Sequence, residues 1–221
     1  MLRGAMIEYG TDFLGPIPNV VIFQINPDKM SRTIEIPPRP EGAGATETGQ
    51  SGEPPTEKIS LSAEFDAAYL LDRNQALARG FGIGPQLAAL EKMAQPSGEL
   101  LGLLGAAIDA VGDALGLGGG GDPPTQPIPR VAMPRILFIW GLTRVLPVQI
   151  DSMSINETEY DALLNPIKAT VSLGLTVTPP GENVTDPIGQ GAFQYSTMAK
   201  EAQAILNLAN TAEQVIDLVP L

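Results

Sequence analysis

Residues 134–177 decide the fold, and they read PRILFIWGLTRVLPVQIDSMSINETEYDALLNPIKATVSLGLTV. Within them, the apolar runs 136–140 and 145–150 have the length of strands and are too short for most helices. The residues between these runs begin with Gly141, which favours a tight connection. The start of the stretch therefore predicts a β-hairpin whose first strand ends at Trp140, the single tryptophan of the chain.

Alternation of apolar and polar residues extends the predicted sheet. Met153 and Ile155 alternate with polar residues in a third strand, and residues 167–177 alternate from end to end. Residues 58–67 follow the same period of two. This pattern is typical of antiparallel strands with one buried face and one solvated face. The solvated faces would form the wall of a channel if the subunits assembled into a ring.

The N-terminal part predicts another hairpin and a loop. Residues 20–25 and 33–36 have strand patterns, and Asn26, Pro27 and Asp28 lie between them as turn residues. Residues 37–56 contain no aliphatic side chain larger than alanine. Such a segment cannot offset the entropy lost on ordering, so we expect a flexible loop within the domain.

Residues 73–130 predict a helical insertion. Pro85 suits a first helical position, and Leu87, Leu90 and Met93 follow at helical spacing. A second, glycine-containing helix is predicted over 98–117, and the glycines and prolines that follow it predict a linker.

The C-terminal segment predicts a helix with Thr197 as its N-cap. Its apolar residues alternate in spacings of four and three, as in a coiled-coil seam. The members of this seam are Met198, Ala202, Ile205, Ala209, Ala212, Ile216 and Val219. Two interpretations stay open: a helix that lies on the sheet, or one that docks on another subunit.

The composition excludes several kinds of chemistry. The chain has 221 residues without cysteine or histidine, so it has no disulfide, no thiolate or imidazole metal site and no histidine-dependent catalytic triad. Its formal net charge is −12 and it has no run of basic residues, which argues against nucleic-acid binding. We expect no cofactor and no metal.

Neither a secretory signal nor a membrane span is predicted. The N-terminal residues lack a continuous apolar region, so we expect assembly in the cytoplasm. The most apolar long segment, 100–117, contains Asp109 and Asp113, which are costly inside a bilayer.

One acidic cluster, formed by Glu157, Glu159 and Asp161, follows the third predicted strand. Paired carboxylates can serve as general acid and base, so a carboxylate-dependent enzyme is one hypothesis. No nucleophile or complete set of oxygen ligands accompanies the cluster in the sequence, which favours a solvated strand end. We therefore expect no enzymatic activity.

The succession of these blocks resembles the tube-type baseplate proteins of contractile injection systems, which are phage-tail-like particles. The segments that carry the resemblance are FQINPDKMSRTIEI (23–36), ISLSAEFDA (59–67) and residues 135–177, followed by a terminal helix. The family pattern has a phenylalanine with an Asn-Pro pair, an aromatic-Trp-Gly strand end and an Asn-Pro loop. The matching residues are Phe23, Asn26, Pro27, Phe138, Trp140, Gly141, Asn165 and Pro166.

The resemblance implies an α+β, mainly β fold: an antiparallel tail-tube-like β-sandwich or barrel with a helical insertion and a C-terminal helix. Residues 1–180 would form the tail-tube-like domain, and residues 181–221 the C-terminal loop and a docking helix that includes Ile205 and Ile216. The helix would replace the LysM-like module that many members carry there. Six copies would form a hexameric ring between the inner tube and the spike, with other baseplate proteins as partners. The alternative is a monomeric ligand-binding β-sandwich module.

Overall fold

A computed structural model describes residues 2–10, 19–37, 54–73, 76–95, 133–179, 181 and 186–218. Within these residues, one antiparallel sheet of seven strands is accompanied by four helices, so the fold is α+β and mainly β, as predicted. The strands are β1 (Ala5–Tyr9), β2 (Val20–Ile22), β3 (Met30–Glu35), β4 (Thr56–Asp66), β5 (Arg135–Trp140), β6 (Arg144–Tyr160) and β7 (Pro166–Val177). The helices are α1 (Ala67–Asp72), α2 (Ala76–Phe81), α3 (Gly84–Ala94) and α4 (Pro187–Leu218).

The sheet is open but curled. Its strand order is β2-β1-β5-β6-β7-β4-β3, so β2 and β3 are its two edges. A flat sheet of this width would separate the edges by about 29 Å, a distance that the connecting residues 23–29 could span only if they were fully extended. The side-chain oxygen of Gln24 also accepts a hydrogen bond of 2.8 Å from the backbone N–H of Asp66, at the end of β4. The two ends of the sheet are therefore drawn together.

The predicted hairpin between β2 and β3 is wrong. These strands pair with β1 and β4 respectively, and β1 was not predicted because its five residues give a weak signal. Instead of closing a turn, Asn26 binds the N-terminal residues. Its side chain accepts a hydrogen bond from Gly4 N–H and donates one to the carbonyl of Leu2, both at 2.9 Å. The connection thus crosses from one sheet edge to the other.

One face of the sheet carries the core. The apolar residues of the alternating strands are buried as predicted, and apolar residues of α1, α2 and α3 pack against the same cluster. From the sheet, the core includes Met6, Ile59, Leu61, Ala63, Phe65, Ile136, Phe138, Leu146, Val148, Ile150, Ala169, Val171, Leu173 and Leu175. The opposite face, here called the outer face, is solvated.

Two predicted strands are one bulged strand. β6 continues through residues 144–160, and its register with β7 shifts between Ile150 and Ser152. The extra residue reverses the alternation, so that Ile150 is buried and Ser152 is exposed although they are two positions apart. The reversal made the sequence read as separate strands.

The insertion begins earlier than predicted. α1 starts at Ala67, because the carboxylate of Asp66 caps it by accepting a hydrogen bond from the N–H of Ala68 at 2.8 Å. The helix predicted around residues 85–93 is confirmed as α3, with its three predicted apolar residues buried. The helix predicted at 98–117, the linker after it and most of the loop 37–56 lie outside the described residues.

The predicted start of the C-terminal helix is also wrong. α4 begins at Pro187, because proline suits a first helical position and the carboxylate of Asp186 accepts a hydrogen bond from the N–H of Gly189 at 2.9 Å. Thr197 lies within the helix, where its hydroxyl donates to the carbonyl of Phe193. Gly189 and Gly191 had suggested a loop.

Candidate assembly interface

The first half of α4 packs on β6 and is held by polar contacts at three points. At its start, the hydroxyl of Tyr9 donates a hydrogen bond of 2.7 Å to Asp186, and the guanidinium of Arg135 lies 3.8 Å from the same carboxylate. Burial, together with the adjacent negative charge, raises the pKa of Tyr9. The hydroxyl therefore stays protonated and joins β1 to the beginning of the helix.

Ser196 forms the second point of attachment. β6 extends beyond the end of β7, so Val145 has no partner on that side of the sheet. The hydroxyl of Ser196 replaces it, accepting from the N–H of Val145 at 2.8 Å and donating to its carbonyl at 2.7 Å. Ser196 is 1% exposed, so this exchange takes place away from water. It completes the strand's backbone bonding with a helix side chain.

The third point of attachment is a buried carboxylate with two basic partners. Glu57 lies on the inner face of β4 and has a side chain 10% exposed. It pairs with Arg32 of β3 at 2.6 Å and with Lys200 of α4 at 2.8 Å. Burial opposes ionisation, but the hydrogen bonds from Lys200 and Arg32 outweigh it and hold the pKa of Glu57 below its usual value. The triad joins the helix to an edge of the sheet.

Beyond Lys200, α4 leaves the body of the protein. Residues 201–208 are all exposed, and the helix continues to Leu218. Large apolar side chains lie in solvent here, with Ile205, Leu206 and Leu208 exposed by 66–67%. We call residues 201–218 the distal half of α4. An exposed cluster of this kind is characteristic of a surface that binds another chain.

Ile205, predicted as a docking residue, lies in the distal half and is exposed. The backbone of Ile216 belongs to the same helix, and its side chain lies outside the described residues. The first half of the helix therefore lies on the sheet, whereas residues 201–208 of the distal half are exposed.

Both edges of the sheet expose apolar side chains. On β2, Val20 and Ile22 are exposed by 44% and 51%. At β3, Ile34 is exposed by 57% and Ile36, just beyond the strand, by 77%. Unpaired edges with apolar side chains favour pairing with another chain.

The outer face carries a strip of small hydroxyl residues. Register places Ser60 beside Ser31 and Gly174, and Ser62 beside Ser172. On β6, Ser152 and Ser154 continue the two rows. The strip lines a shallow groove of about 500 Å³. Lys29 is the one charged residue among the described residues that line the groove.

The aromatic residues predicted as packing residues meet within one chain. Phe23 and Phe138 are fully buried, and their ring centroids are 6.5 Å apart. Trp140 stacks on Phe138 with a centroid separation of 5.8 Å and contacts Phe23 at 6.5 Å. Gly141 has a φ of +69°, which explains a glycine in the turn after Trp140.

The predicted Asn-Pro pairs fix loops. In the first pair, Asn26 binds the N-terminus as described, and Pro27 is half-buried beside it. In the second, the side chain of Asn165 donates to Asp161 at 2.8 Å and to the carbonyl of Gly80 at 3.1 Å. The carbonyl of Pro166 accepts from the N–H of Ile83 at 2.9 Å. The second loop is thereby held against the turn between α2 and α3.

The acidic cluster is dispersed. Asp161 accepts hydrogen bonds from Asn165 and from the N–H of Leu163, and these lower its pKa. Glu159 lies opposite Lys168 in the sheet. Within the described residues, no group of three or more acidic side chains could hold a metal ion. The cluster, as placed, stabilises a loop and a strand end.

Sequence reasoning missed the residues that anchor α4. Glu57 occupies an inward position in the alternation of β4, and a charged residue at such a position was the available signal. Its partners, Arg32 and Lys200, lie far away in sequence, and no local pattern connects them to it. Ser196 was read as part of a loop because the helix start was misplaced.

The chain matches no protein-family model and no curated protein. Among the described residues, no helix has the length and hydropathy needed to cross a membrane.

Proposed function

We propose that this chain is a structural subunit of a contractile injection system. It forms a ring layer of the baseplate or inner tube, connects the tube to the spike and recruits other baseplate parts. The observation that carries the proposal is the distal half of α4, which continues beyond the packed part of the helix and exposes Ile205, Leu206 and Leu208 to solvent. A subunit that functions alone has no use for this surface, whereas an assembling subunit does.

The edges of the sheet support the same proposal. Among the described strands, β2 and β3 end the sheet without a partner on their outer side, and both carry exposed isoleucines. Pairing of β3 from one copy with β2 of the next would cover both edges, and repeating the contact would close a ring. The resemblance stated above implies six copies.

The outer face suits the channel of such a ring. Its strip of serines presents small hydroxyl groups, and Lys29 is the one charged residue among the described residues that line the groove, so a passing chain or rod finds few groups that bind it strongly. The core face cannot line the channel, because helices α1–α3 and the first half of α4 cover it.

The proposal is tested on the purified full-length chain. We expect sedimentation velocity to show self-association at high protein concentration and electron microscopy to show rings with a central channel. The neighbouring genes are expected to encode sheath, tube and spike proteins. A chain that stays monomeric and never enters particles would contradict the proposal and favour the monomeric ligand-binding module.

A further inference from the structure

A second apolar surface lies on elements other than α4. It is a groove of about 350 Å³ between β2 and the helices α1–α3. Its walls include Val20 and Ile22 of the sheet edge and Leu77 of α2, which is 67% exposed. The three side chains leave an apolar floor uncovered.

Two arginines form the rim of this groove. The guanidinium carbons of Arg3 and Arg73 lie 4.9 Å and 4.8 Å from the ring centroid of Tyr69. Neither arginine forms an ion pair with a carboxylate in the described part of the chain. The hydroxyl of Tyr69 is buried and has no hydrogen-bond partner there. The chain has a net charge of −12, yet this groove combines an apolar floor with two basic side chains and a buried hydroxyl that lacks a hydrogen-bond partner among the described residues.

These properties specify the occupant. An apolar floor with a basic rim fits an amphipathic helix whose apolar stripe is flanked by carboxylates. The sequence of the distal half has this pattern, since Ile205 belongs to the apolar seam, Leu206 lies next to it, and Glu201 and Glu213 fall at the flanking positions of the heptads. Lys200 is the only basic residue of α4, and it is already bound to Glu57. The charged residues of the distal half are therefore all acidic.

The helix cannot fill the groove of its own chain. Its first half is fixed on β6 and to Glu57, and the helix runs on without interruption to Leu218. The groove lies on other elements, at the edge formed by β2. A contact between this groove and the distal half of α4 therefore has to form between two copies of the chain.

We propose that the groove between β2 and α1–α3 receives the distal half of α4 from a second copy of this chain. The inference rests on the ring assembly proposed above and adds a contact between successive copies. We call this contact, between groove and helix, the joint. Groove and helix are different surfaces, so the contact is head-to-tail and can repeat around a ring. The 18 residues of the distal half form about 27 Å of helix.

A charge-swap experiment tests the joint. One variant carries Arg3→Glu and Arg73→Glu, and the other carries Glu201→Arg and Glu213→Arg. Each alone should self-associate at least about tenfold more weakly than the wild type in sedimentation velocity at low salt, because like charges then face each other. In an equimolar mixture, every groove finds a helix of opposite charge, and association should return.

Arg79→Glu is the control, since it reverses the charge of one arginine on α2 outside the groove. Its association should stay close to that of the wild type, and thermal unfolding of every variant checks that the body is folded. If the swapped variants associate as the wild type does, or if their mixture fails to recover, the joint is overturned while the ring stands. A wild-type chain that does not self-associate overturns the ring and the joint together.

Discussion

The two halves of α4 belong to one continuous helix but meet different surroundings. In the first half, Ser196 is 1% exposed and Phe193 packs against the core. In the distal half, Ile205 and Leu206 are exposed by 66% and 67%. Both halves contain large apolar side chains, so their presence alone does not determine which half packs on the sheet. The polar contacts of Asp186, Ser196 and Lys200 make the difference, because they align only the first half with the strands.

The largest expected loss of stability in α4 comes from Phe193→Ala. Phe193 is half-buried against the core, so its removal should lower the free energy of unfolding by about 3 kcal/mol, the low end for a phenylalanine. Urea denaturation measures the change. The control is Leu208→Ala in the distal half, which should change stability by less than about 0.5 kcal/mol at low protein concentration. Equal losses in the two variants would contradict the division of the helix.

Glu57→Gln should have the next largest effect. It leaves Arg32 and Lys200 without their carboxylate, and because both are partly exposed the cost should be about 2 kcal/mol, below the 3–5 kcal/mol typical of fully buried pairs. The folded-state pKa of Glu57 lies below its usual value of 4.5. Its contribution is therefore complete above that pH and is lost as the pH falls through the folded-state pKa.

The pH dependence separates this charge effect from simple loss of packing. The difference in unfolding free energy between the wild type and Glu57→Gln should shrink when denaturation is repeated at pH values below 4.5. A difference that is constant from neutral pH to about pH 3 would show that the ion pairs do not carry the effect.

Ser196→Ala should cost about 1 kcal/mol, because it leaves the N–H of Val145 buried without a partner. Hydrogen exchange of the Val145 amide should accelerate, and this readout distinguishes the lost bond from a general weakening. Thr197→Ala is the control, since its hydroxyl bonds only within the helix and is exposed. Unchanged protection of Val145 in Ser196→Ala would contradict the proposed bridge.

Local patterns predicted most of the strands but not the connection that draws the two ends of the sheet together. The alternation of β4 and β7 correctly assigned their buried faces, since a half-buried strand shows its geometry in every second residue. The hairpin of β2 and β3 failed because their true partners are distant in sequence, and short β1 gave little signal. The candidate interface was predicted through Ile205, whereas the anchors around Glu57 required long-range contacts that no local pattern contains.

The smallest change in the stability of the isolated chain is expected from Leu206→Gln, which tests directly whether the distal half packs on its own sheet. Glutamine preserves helix propensity, and Leu206 is 67% exposed, so stability at low protein concentration should change by less than about 0.5 kcal/mol. A loss above about 1 kcal/mol under these conditions would mean that the distal half packs on its own sheet. Association stabilises the folded state by mass action, so the melting temperature of the wild type should rise with protein concentration. In Leu206→Gln this rise should be reduced, because the substitution removes an apolar contact that forms only between copies.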